Sequence, residues 1–343
     1  MLEKLAEKGI DFGVDQDRDF ESIKSNKRFK HIISILDRYR KTINNSKVAY
    51  ILDERDLLPE GIAYDPVSKR IFLSSIYKRK IIQIDESGIF SDFTSEKQDN
   101  LYSTLGMEVD SKRRHLWVCN SGEINMKDFK SEDSGQATIH KYDLSGKLLK
   151  IYRSTKNEFH EFNDLTINPS GDVYITDSQT GQIFFIHHVR DSLELLFDEG
   201  LFIGSNGISL TPDGRILFVA AYSEGVYKVN LDNLNYQLIN SSKDGTLYGI
   251  DGLYFYKNSL IAVQNGIQPD RIARYFLSDD LGSVTKCEII EMNNDFFDEP
   301  TTGVIAGDTF YYIANSQLRA FDQDGNIFPN NQLKDVTILK TEL

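Results

Sequence analysis

Short apolar runs separated by polar turns dominate the chain from about residue 46 onward, and this pattern predicts β-strands. One unit recurs, made of a polar loop, a short apolar strand, a turn and a second apolar strand. Its clearest copy is FNDLTINPSGDVYITDS, residues 162–178. Three further copies are LPEGIAYDPVSKRIFLSS, SNGISLTPDGRILFVAAY and GIDGLYFYKNSLIAVQN, and two weaker ones are TLGMEVDSKRRHLWVCNS and PTTGVIAGDTFYYIANS. The chain therefore repeats one supersecondary unit six times.

The spacing of these copies predicts the fold class. The equivalent residues at the start of the first strands are Glu60, Leu105, Asn163, Asn206, Asp251 and Thr302. The steps between them are 45, 58, 43, 45 and 51 residues, a period typical of four-stranded propeller blades. We therefore predict an all-β fold, a six-bladed β-propeller over residues 45–343. The innermost strand of each blade begins at the central axis, so the six residues should meet there.

Residues 1–44 follow a helical pattern instead and predict a short N-terminal α-helical extension. Phe29, Ile32, Ile33 and Leu36 recur at helical spacing, with Ser25 as a candidate N-cap. The segment resembles the last unit of helical tetratricopeptide-like arrays. Such a remnant would present an apolar face, which would serve either protein docking or packing against the propeller, and both interpretations stay open.

Two further segments bear on the architecture. The polar stretch from Gly122 to Gln136 interrupts the second copy and predicts a lid or rim loop over one face of the propeller. The last blade needs one more strand, which either DVTILKTEL or the early segment KVAYILD can supply at its outer edge. Pairing a strand from the start of the chain with the end would close the ring and remove exposed sheet edges.

Composition and charge narrow the classes of partner. The chain is 40% hydrophobic and 27% charged, and no run of 18 apolar residues could span a bilayer. The net charge of -13 disfavours nucleic acid, because an acidic surface repels phosphates. Cys119 and Cys287 are expected to be free thiols. The start MLEKLAEKG lacks a signal-peptide pattern, so the protein is periplasmic or secreted if an upstream signal has been removed, and cytoplasmic otherwise.

Four of the six repeat positions carry oxygen donors, which predicts a metal site at the axis. Glu60, Asn163, Asn206 and Asp251 provide two carboxylates and two amides, a hard ligand set. Two carboxylates at the centre of a closed ring would repel each other without a cation. We expect Ca²⁺ first, with Mg²⁺, Mn²⁺ or Zn²⁺ as alternatives. The competing interpretation is that these polar residues only cap turns at the strand starts.

The same four motifs resemble the regucalcin, gluconolactonase and luciferin-regenerating enzyme superfamily of six-bladed propellers, which is related to paraoxonase and diisopropyl fluorophosphatase. The resemblance covers about residues 46–343. It implies a divalent ion held by the acidic residue of LPEG, the Asn of FND, the Asn of SNG and the Asp of IDG, which are Glu60, Asn163, Asn206 and Asp251. It also implies hydrolysis of lactones or of related esters and phosphoesters.

A cation with an open position can polarise a carbonyl and lower the pKa of water, which indicates a hydrolytic mechanism. We expect Asp251 to accept the proton from that water, with Asp164 as the reserve candidate. Residues near the ends of the second strands and the mouth loops are candidate substrate contacts. These candidates are Asn120, His160, Glu161, Asp177, Tyr222 and Asn265.

One residue departs from the pattern of the resembling sugar-lactone hydrolases. They carry an Arg two residues before the Asn of FND, where this chain has Glu161. A carboxylate in place of a guanidinium reverses what the pocket attracts. A neutral lactone, an aryl ester or a cationic substrate is therefore expected in preference to gluconolactone.

Two other function classes stay open beside the metal-dependent lactonase or esterase. One is a non-catalytic binding or scaffold propeller whose calcium ion is structural. The other is a carbon–carbon bond-forming enzyme of the strictosidine-synthase type, against which the four oxygen ligands argue. No GxSxG, Walker A or CxxC framework is present, which disfavours serine-hydrolase, nucleotide-binding and zinc-ribbon interpretations.

Overall fold

The structure is a computed structural model that describes residues 2–11, 13–154, 158–198, 200–242, 245–323 and 325–343. Two helices precede the strands, α1 (Leu2–Glu7) and α2 (Lys27–Tyr39). The strands are β1 (Lys47–Leu52), β2 (Pro59–Asp65), β3 (Arg70–Ser75), β4 (Lys80–Ile84), β5 (Phe90–Asp92), β6 (Ser103–Asp110), β7 (His115–Ser121), β8 (Ala137–Asp143), β9 (Leu148–Arg153), β10 (Phe162–Ile167), β11 (Val173–Asp177), β12 (Ile183–Ile186), β13 (Leu193–Phe197), β14 (Ser205–Leu210), β15 (Ile216–Ala221), β16 (Gly225–Asn230), β17 (Tyr236–Leu238), β18 (Ile250–Tyr256), β19 (Ser259–Gln264), β20 (Arg271–Leu277), β21 (Val284–Met292), β22 (Gly303–Ala306), β23 (Thr309–Ile313) and β24 (Val336–Glu342).

These strands form a six-bladed β-propeller, so the predicted fold class is confirmed. Each blade is a four-stranded antiparallel sheet, and five blades take their strands in chain order, from β2–β5 to β18–β21. The sixth has the order β22-β23-β24-β1, so the early strand lies outermost and closes the ring. Of the two segments that could have taken the outer edge, KVAYIL takes it and VTILKTE lies third.

Neighbouring blades pack face to face through apolar side chains, which explains why the strands read as near-continuous hydrophobic runs. Leu105, Phe162 and Ile175 belong to one cluster that joins blades two and three. Leu52, Ile62 and Ile338 belong to a cluster that joins blade six to blade one. Each fully buried side chain of this kind contributes roughly 1.5–3 kcal/mol through removal of its surface from water.

All six inner strands begin at the same end of the central channel, which we call the mouth. The second strand of each blade ends there too, since Phe162 pairs with Asp177 and Pro59 pairs with Ser75. The insertion of residues 122–136 also lies on this face, and it contacts blade one where Lys127 N donates to Tyr77 O at 2.9 Å. Side chains from distant parts of the sequence therefore converge at the mouth.

The helical extension packs against mouth-face loops of blades four and five. Asp11 N donates to Gln268 O at 2.9 Å, and Arg271 Nη2 donates to Gly9 O at 2.5 Å. The apolar residues of α1 and α2 pack against one another. Among the described residues of the extension, Ile23 is the only large hydrophobic residue that is exposed. Docking of a partner protein through these helices stays a prediction. No described helix is long and apolar enough to cross a membrane.

Candidate metal centre

A β-bulge lies at each candidate ligand. The pairing register of the inner strands shifts between Pro59 and Ile62, Phe162 and Leu165, Ser205 and Ile208, and Ile250 and Leu253. The shifted segments contain Glu60, Asn163, Asn206 and Asp251. A bulge adds an unpaired residue and turns its side chain away from the regular alternation. Blade two has the same shift, between Thr104 and Met107, so the repeated motif encodes a bulge in blades one to five, while β22 and β23 of blade six pair without one.

The four candidate ligands share an unusual property: each has a buried oxygen without a hydrogen-bond partner among the described residues. These atoms are Glu60 Oε2, Asn163 Oδ1, Asn206 Oδ1 and Asp251 Oδ1. They are four of the ten such side-chain atoms in the described part of the chain. Leaving a buried acceptor unpaired costs roughly 1–3 kcal/mol, so this grouping indicates a missing binding partner. A divalent cation of the hard type fits the donor set.

The electrostatics of the carboxyl groups point the same way. Burial raises the pKa of Glu60 well above its ordinary value, and the negative charges of Asp251 and Asp164 add to the rise. Burial also raises the pKa of Asp251, against the opposing hydrogen bond from Asn265. Both groups would carry their negative charge more readily beside a cation.

Two predicted substrate contacts form a hydrogen-bonded chain to one candidate ligand. Asn265 Nδ2 donates to Asp251 Oδ2 at 2.5 Å, and Tyr222 OH donates to Asn265 Oδ1 at 2.8 Å. This chain of hydrogen bonds occupies Oδ2 of Asp251, while Oδ1 is buried and has no hydrogen-bond partner among the described residues. Asn265 and Tyr222 thus orient the Asp251 carboxyl, as partners of metal ligands commonly do.

Asp177 and His160 have a different environment. The Asp177 carboxylate accepts hydrogen bonds from the backbone N–H groups of Glu161 and Gln179 at 3.0 and 3.1 Å. His160 Nδ1 donates to Asp177 Oδ2 at 2.6 Å, and both side chains are buried. These contacts tie the segment before β10 to the loop after β11. His160 Nε2 has no hydrogen-bond partner among the described residues, although Glu158 Oε2 lies 3.6 Å away.

Asn120 is completely buried at the end of β7. Its Nδ2 donates to Val118 O at 3.2 Å and lies 3.0 Å from His140 Nδ1. Its Oδ1 has no partner in the described structure. The side-chain amide nitrogen of Asn120 therefore makes its hydrogen bonds within blade two.

Asp164 occupies a position that is glycine in the other five copies of the repeat. The equivalent glycines are Gly61, Gly106, Gly207, Gly252 and Gly303. A Cβ added to Gly106 would come within 2.3 Å of Asp164 Oδ1, so that glycine leaves the space that Asp164 fills. Burial raises the pKa of Asp164 to about 7, although the N–H groups of Leu165 and Ile208 donate to the carboxyl.

Beyond the ligands, the channel widens toward the opposite face. A cavity of about 590 Å³ is lined by segments of all six inner strands, including Asp164, Glu108 and Tyr254. Burial raises the pKa of Glu108 to about 8. The candidate metal centre therefore lies between an outer mouth and an inner channel.

Glu123 is the mouth residue that sequence reasoning missed. It lies in the insertion, outside every repeat, so no periodic signal marks it. The structure places it among the carboxyl groups that act on Glu60, together with Asp251, Asp164 and Glu161. Burial, followed by the charge of Glu161, raises the pKa of Glu123 to about 8.

Comparison with known families supports this architecture. Residues 58–252 match the family model described as SMP-30/Gluconolactonase/LRE-like region, and this match includes all four candidate ligands. The chain belongs to the SMP-30/gluconolactonase/LRE-like family. The sequence matches none of the curated proteins with which it was compared.

Several solved structures share this fold. A gluconolactonase from Xanthomonas campestris has a TM-score of 0.60 and 12% identity, covering 88% of this chain and 96% of its own. A regucalcin from Agrobacterium tumefaciens, described as a calcium-binding protein, has a TM-score of 0.58 and 17% identity, covering 85% and 93%. A luciferin-regenerating enzyme has a TM-score of 0.57 and 12% identity, covering 88% and 96%. The TM-scores establish a shared fold, and at identities this low the likeness is one of fold alone.

Proposed function

We propose that this protein is a divalent-cation-dependent hydrolase of lactones or related esters. The observation that carries the proposal is the set of four buried, unpartnered oxygens on Glu60, Asn163, Asn206 and Asp251. Membership of a family named for gluconolactonase supports the reaction class. The fold similarity to a calcium-binding regucalcin supports Ca²⁺ as the first candidate, with Mg²⁺, Mn²⁺ or Zn²⁺ as alternatives.

The donor set fits a hard divalent ion in both charge and chemistry. Glu60 and Asp251 together carry the two negative charges that a divalent ion neutralises. Asn163 and Asn206 add neutral carbonyl-type oxygens, which suit Ca²⁺ better than soft metals. The four protein ligands fall short of the six to eight oxygens that Ca²⁺ usually takes, which leaves room for substrate and water.

When bound, a divalent cation supplies Lewis-acid polarisation of a carbonyl oxygen and eases the deprotonation of water. Asp251 is the proposed general base, because Asn265 holds its Oδ2 and its Oδ1 is left to accept a proton. Asp251 would serve as ligand and base in turn. Asp164 is the reserve base, with a pKa of about 7.

Metal analysis joined to an activity screen tests this function. We expect the purified chain, supplied with Ca²⁺, to retain one ion per molecule and to hydrolyse some members of a lactone and aryl-ester panel. Asp251→Asn and Glu60→Gln should each lose the ion and lower kcat/KM by at least about a hundredfold. Glu132→Gln, an exposed carboxylate in the insertion on the same face, is the matched control. Full ion retention in both ligand variants would contradict the site.

One observation favours a second candidate function, a binding propeller with a structural ion. The candidate ligands come from blades one, three, four and five, so an ion bound by all of them would tie most of the ring together. In that case removal of the ion would lower the melting temperature, while no lactone or ester would turn over faster than with the free ion. The same variants and panel therefore separate the two candidates.

A further inference from the structure

Two adjacent histidines and an aspartate meet at the end of blade three that lies opposite the mouth. Asp172 immediately precedes β11, and His187 and His188 immediately follow β12. Val173 pairs with Ile186 in these two antiparallel strands, so the residues just beyond them lie side by side. The two imidazole rings stack with their centroids 4.9 Å apart. One potential ligand atom from each of the three side chains lies within 4.8 Å of the other two.

Hydrogen bonds fix the orientation of the aspartate carboxylate. Asn168 Nδ2 donates to Asp172 Oδ2 at 3.0 Å, and the backbone N–H of His188 donates to Asp172 Oδ1 at 2.8 Å. His188 Nδ1 lies 2.7 Å from the same Oδ1. Because a carboxylate oxygen only accepts, the His188 ring donates a proton across this contact. A metal ion that displaced this proton would gain a carboxylate oxygen and an imidazole nitrogen as ligands.

His187 offers a second imidazole at the same place. Its Nδ1 accepts the backbone N–H groups of Val189 and Arg190 at 3.1 and 3.4 Å, which are long hydrogen bonds. No side chain in the described part of the chain forms a hydrogen bond with this ring. The backbone therefore orients His187 and leaves the ring available to an ion.

The positive charge of the same turn is engaged elsewhere. The Arg190 guanidinium donates to the two carboxylate oxygens of Glu194 at 2.6 and 2.8 Å. Among the described residues, Asp172 forms an ion pair with His188 and with no arginine or lysine. A bound cation would therefore meet a carboxylate whose charge no basic side chain neutralises.

Two imidazole nitrogens and one carboxylate oxygen form a donor set that suits Zn²⁺. Zinc binds histidine nitrogen and aspartate oxygen, and with three protein ligands it keeps a fourth position for water. Ca²⁺ takes oxygen ligands, so it fits this group poorly. The five residues of β11 separate Asp172 from the mouth, roughly 16 Å at the usual rise of a strand. The two places therefore differ both in position and in the metal that they favour.

We propose that Asp172, His187 and His188 bind one Zn²⁺ ion, at a site separate from the candidate metal centre at the mouth. The ion links the turn between β10 and β11 to the turn between β12 and β13. Binding to the folded blade alone stabilises it by mass action. The inference does not depend on the proposed hydrolase function.

Zinc binding by the full chain tests the proposal. The protein is stripped with a chelator, dialysed and supplied with excess Ca²⁺, which occupies the oxygen ligands at the mouth. Isothermal titration calorimetry should then show one Zn²⁺ bound per chain. Asp172→Asn, His187→Gln and His188→Gln should each weaken Zn²⁺ binding at least about tenfold, because loss of a ligand costs no less than loss of its outer partner. His31→Gln is the matched control, since His31 is an exposed histidine 4.0 Å from the Glu3 carboxylate, and it should bind Zn²⁺ like the wild type.

A second measurement uses the wild type alone and so does not depend on the folding of the variants. Diethyl pyrocarbonate modifies accessible imidazoles, and His31 and His188 are both exposed. Zn²⁺ should lower the modification of His188 severalfold, as measured by mass spectrometry of peptides. His31 should react equally with and without Zn²⁺.

Three results would overturn the proposal. They are loss of the bound Zn²⁺ in Glu60→Gln, unchanged Zn²⁺ affinity in any of the three site variants, and equal modification of His188 with and without Zn²⁺. The first result would assign the zinc to the mouth. Zn²⁺ binding that survives Glu60→Gln and is lost in His188→Gln would support this site, whether or not any lactone or ester is hydrolysed.

Discussion

The carboxylate of Asp65 shows how one buried residue can tie two blades together. It lies at the end of β2 with no exposed surface, and it accepts two hydrogen bonds from Arg114 of blade two, at 2.5 and 2.6 Å. Burial alone would raise its pKa, but the hydrogen bonds from Arg114, Ser68 and the backbone together lower it well below its ordinary value. The ion pair is therefore stable in its charged form.

Replacement of this carboxylate should cost stability at neutral pH. Asp65→Asn is expected to lower the free energy of unfolding by about 1–3 kcal/mol, less than a fully buried pair would, because Arg114 is partly exposed. A lowered folded-state pKa gives stability that is present above the unfolded pKa of about 4 and is lost as the pH falls through the lower, folded value. Urea unfolding should thus show a smaller difference between variant and wild type at pH 3 than at pH 7.

An exposed ion pair in the same blade supplies the control. Lys69 and Glu86 are both more than half exposed, so Glu86→Gln should change the free energy of unfolding by less than about 1 kcal/mol. Equal effects of Asp65→Asn and Glu86→Gln would contradict the structural role given to Asp65.

The candidate ligands could be predicted at the residue scale because they occur in phase with a repeat. Glu60 and Asn206 occupy the same position of the same motif, so the fold brings them together wherever their blades lie. Glu123 could not be predicted, because its position depends on how an insertion folds back onto β10. The glycine in five of the six copies could be read from the sequence and distinguishes Asp164, whose side chain lines the central cavity.

Among the elements, the helical extension has the clearest connection to the mouth. Arg271 opens β20 and is 2% exposed, and its guanidinium donates to Gly9 O at 2.5 Å and Pro269 O at 3.1 Å. The same β19–β20 connection contains Asn265, which holds the Asp251 carboxyl. The extension therefore supports a loop that begins at the candidate metal centre.

Loss of the Arg271 side chain should loosen the extension first. Arg271→Ala would leave buried carbonyls unpaired and open a cavity, and the free energy of unfolding should fall by about 2–4 kcal/mol. Hydrogen exchange of the Asp11 amide, which donates to Gln268 O at 2.9 Å, should speed up. Arg274→Ala, on the same strand but bonded to Ser259, is the control and should leave that amide protected. Unchanged exchange in Arg271→Ala would show that other contacts hold the extension.

Sequence patterning predicted the existence of the extension but not its location. The apolar side of α2 packs against α1 and against the segment between the two helices. These apolar side chains are therefore buried within the extension itself. The contacts that orient the extension include a backbone hydrogen bond from Asp11 N to Gln268 O and one from the Arg271 guanidinium to Gly9 O, and such contacts leave no signature in composition or periodicity.

For the whole molecule, an ion at the mouth should couple the blades. Because the candidate ligands come from four blades, binding to the folded ring alone stabilises it by mass action. Free Ca²⁺ at a hundred times its Kd is expected to add about 2.7 kcal/mol to the free energy of unfolding, and a chelator should remove this gain. Melting curves with and without Ca²⁺ would measure it. A Ca²⁺ response that persists in Glu60→Gln would contradict the assignment of this ligand.

Ring closure by β1 has a consequence for how the protein is made. Lys47 pairs with Lys340, so the first strand of the propeller finds its partner only after the last blade has been synthesised. Until then β1 stays unpaired in the growing chain while the five other blades fold. Exposed Lys47 at the start of that strand discourages premature association with another nascent chain. Closure of the ring is thus a late step in biogenesis. A translation pause after β23 would lengthen the period in which the unpaired β1 can associate with another chain.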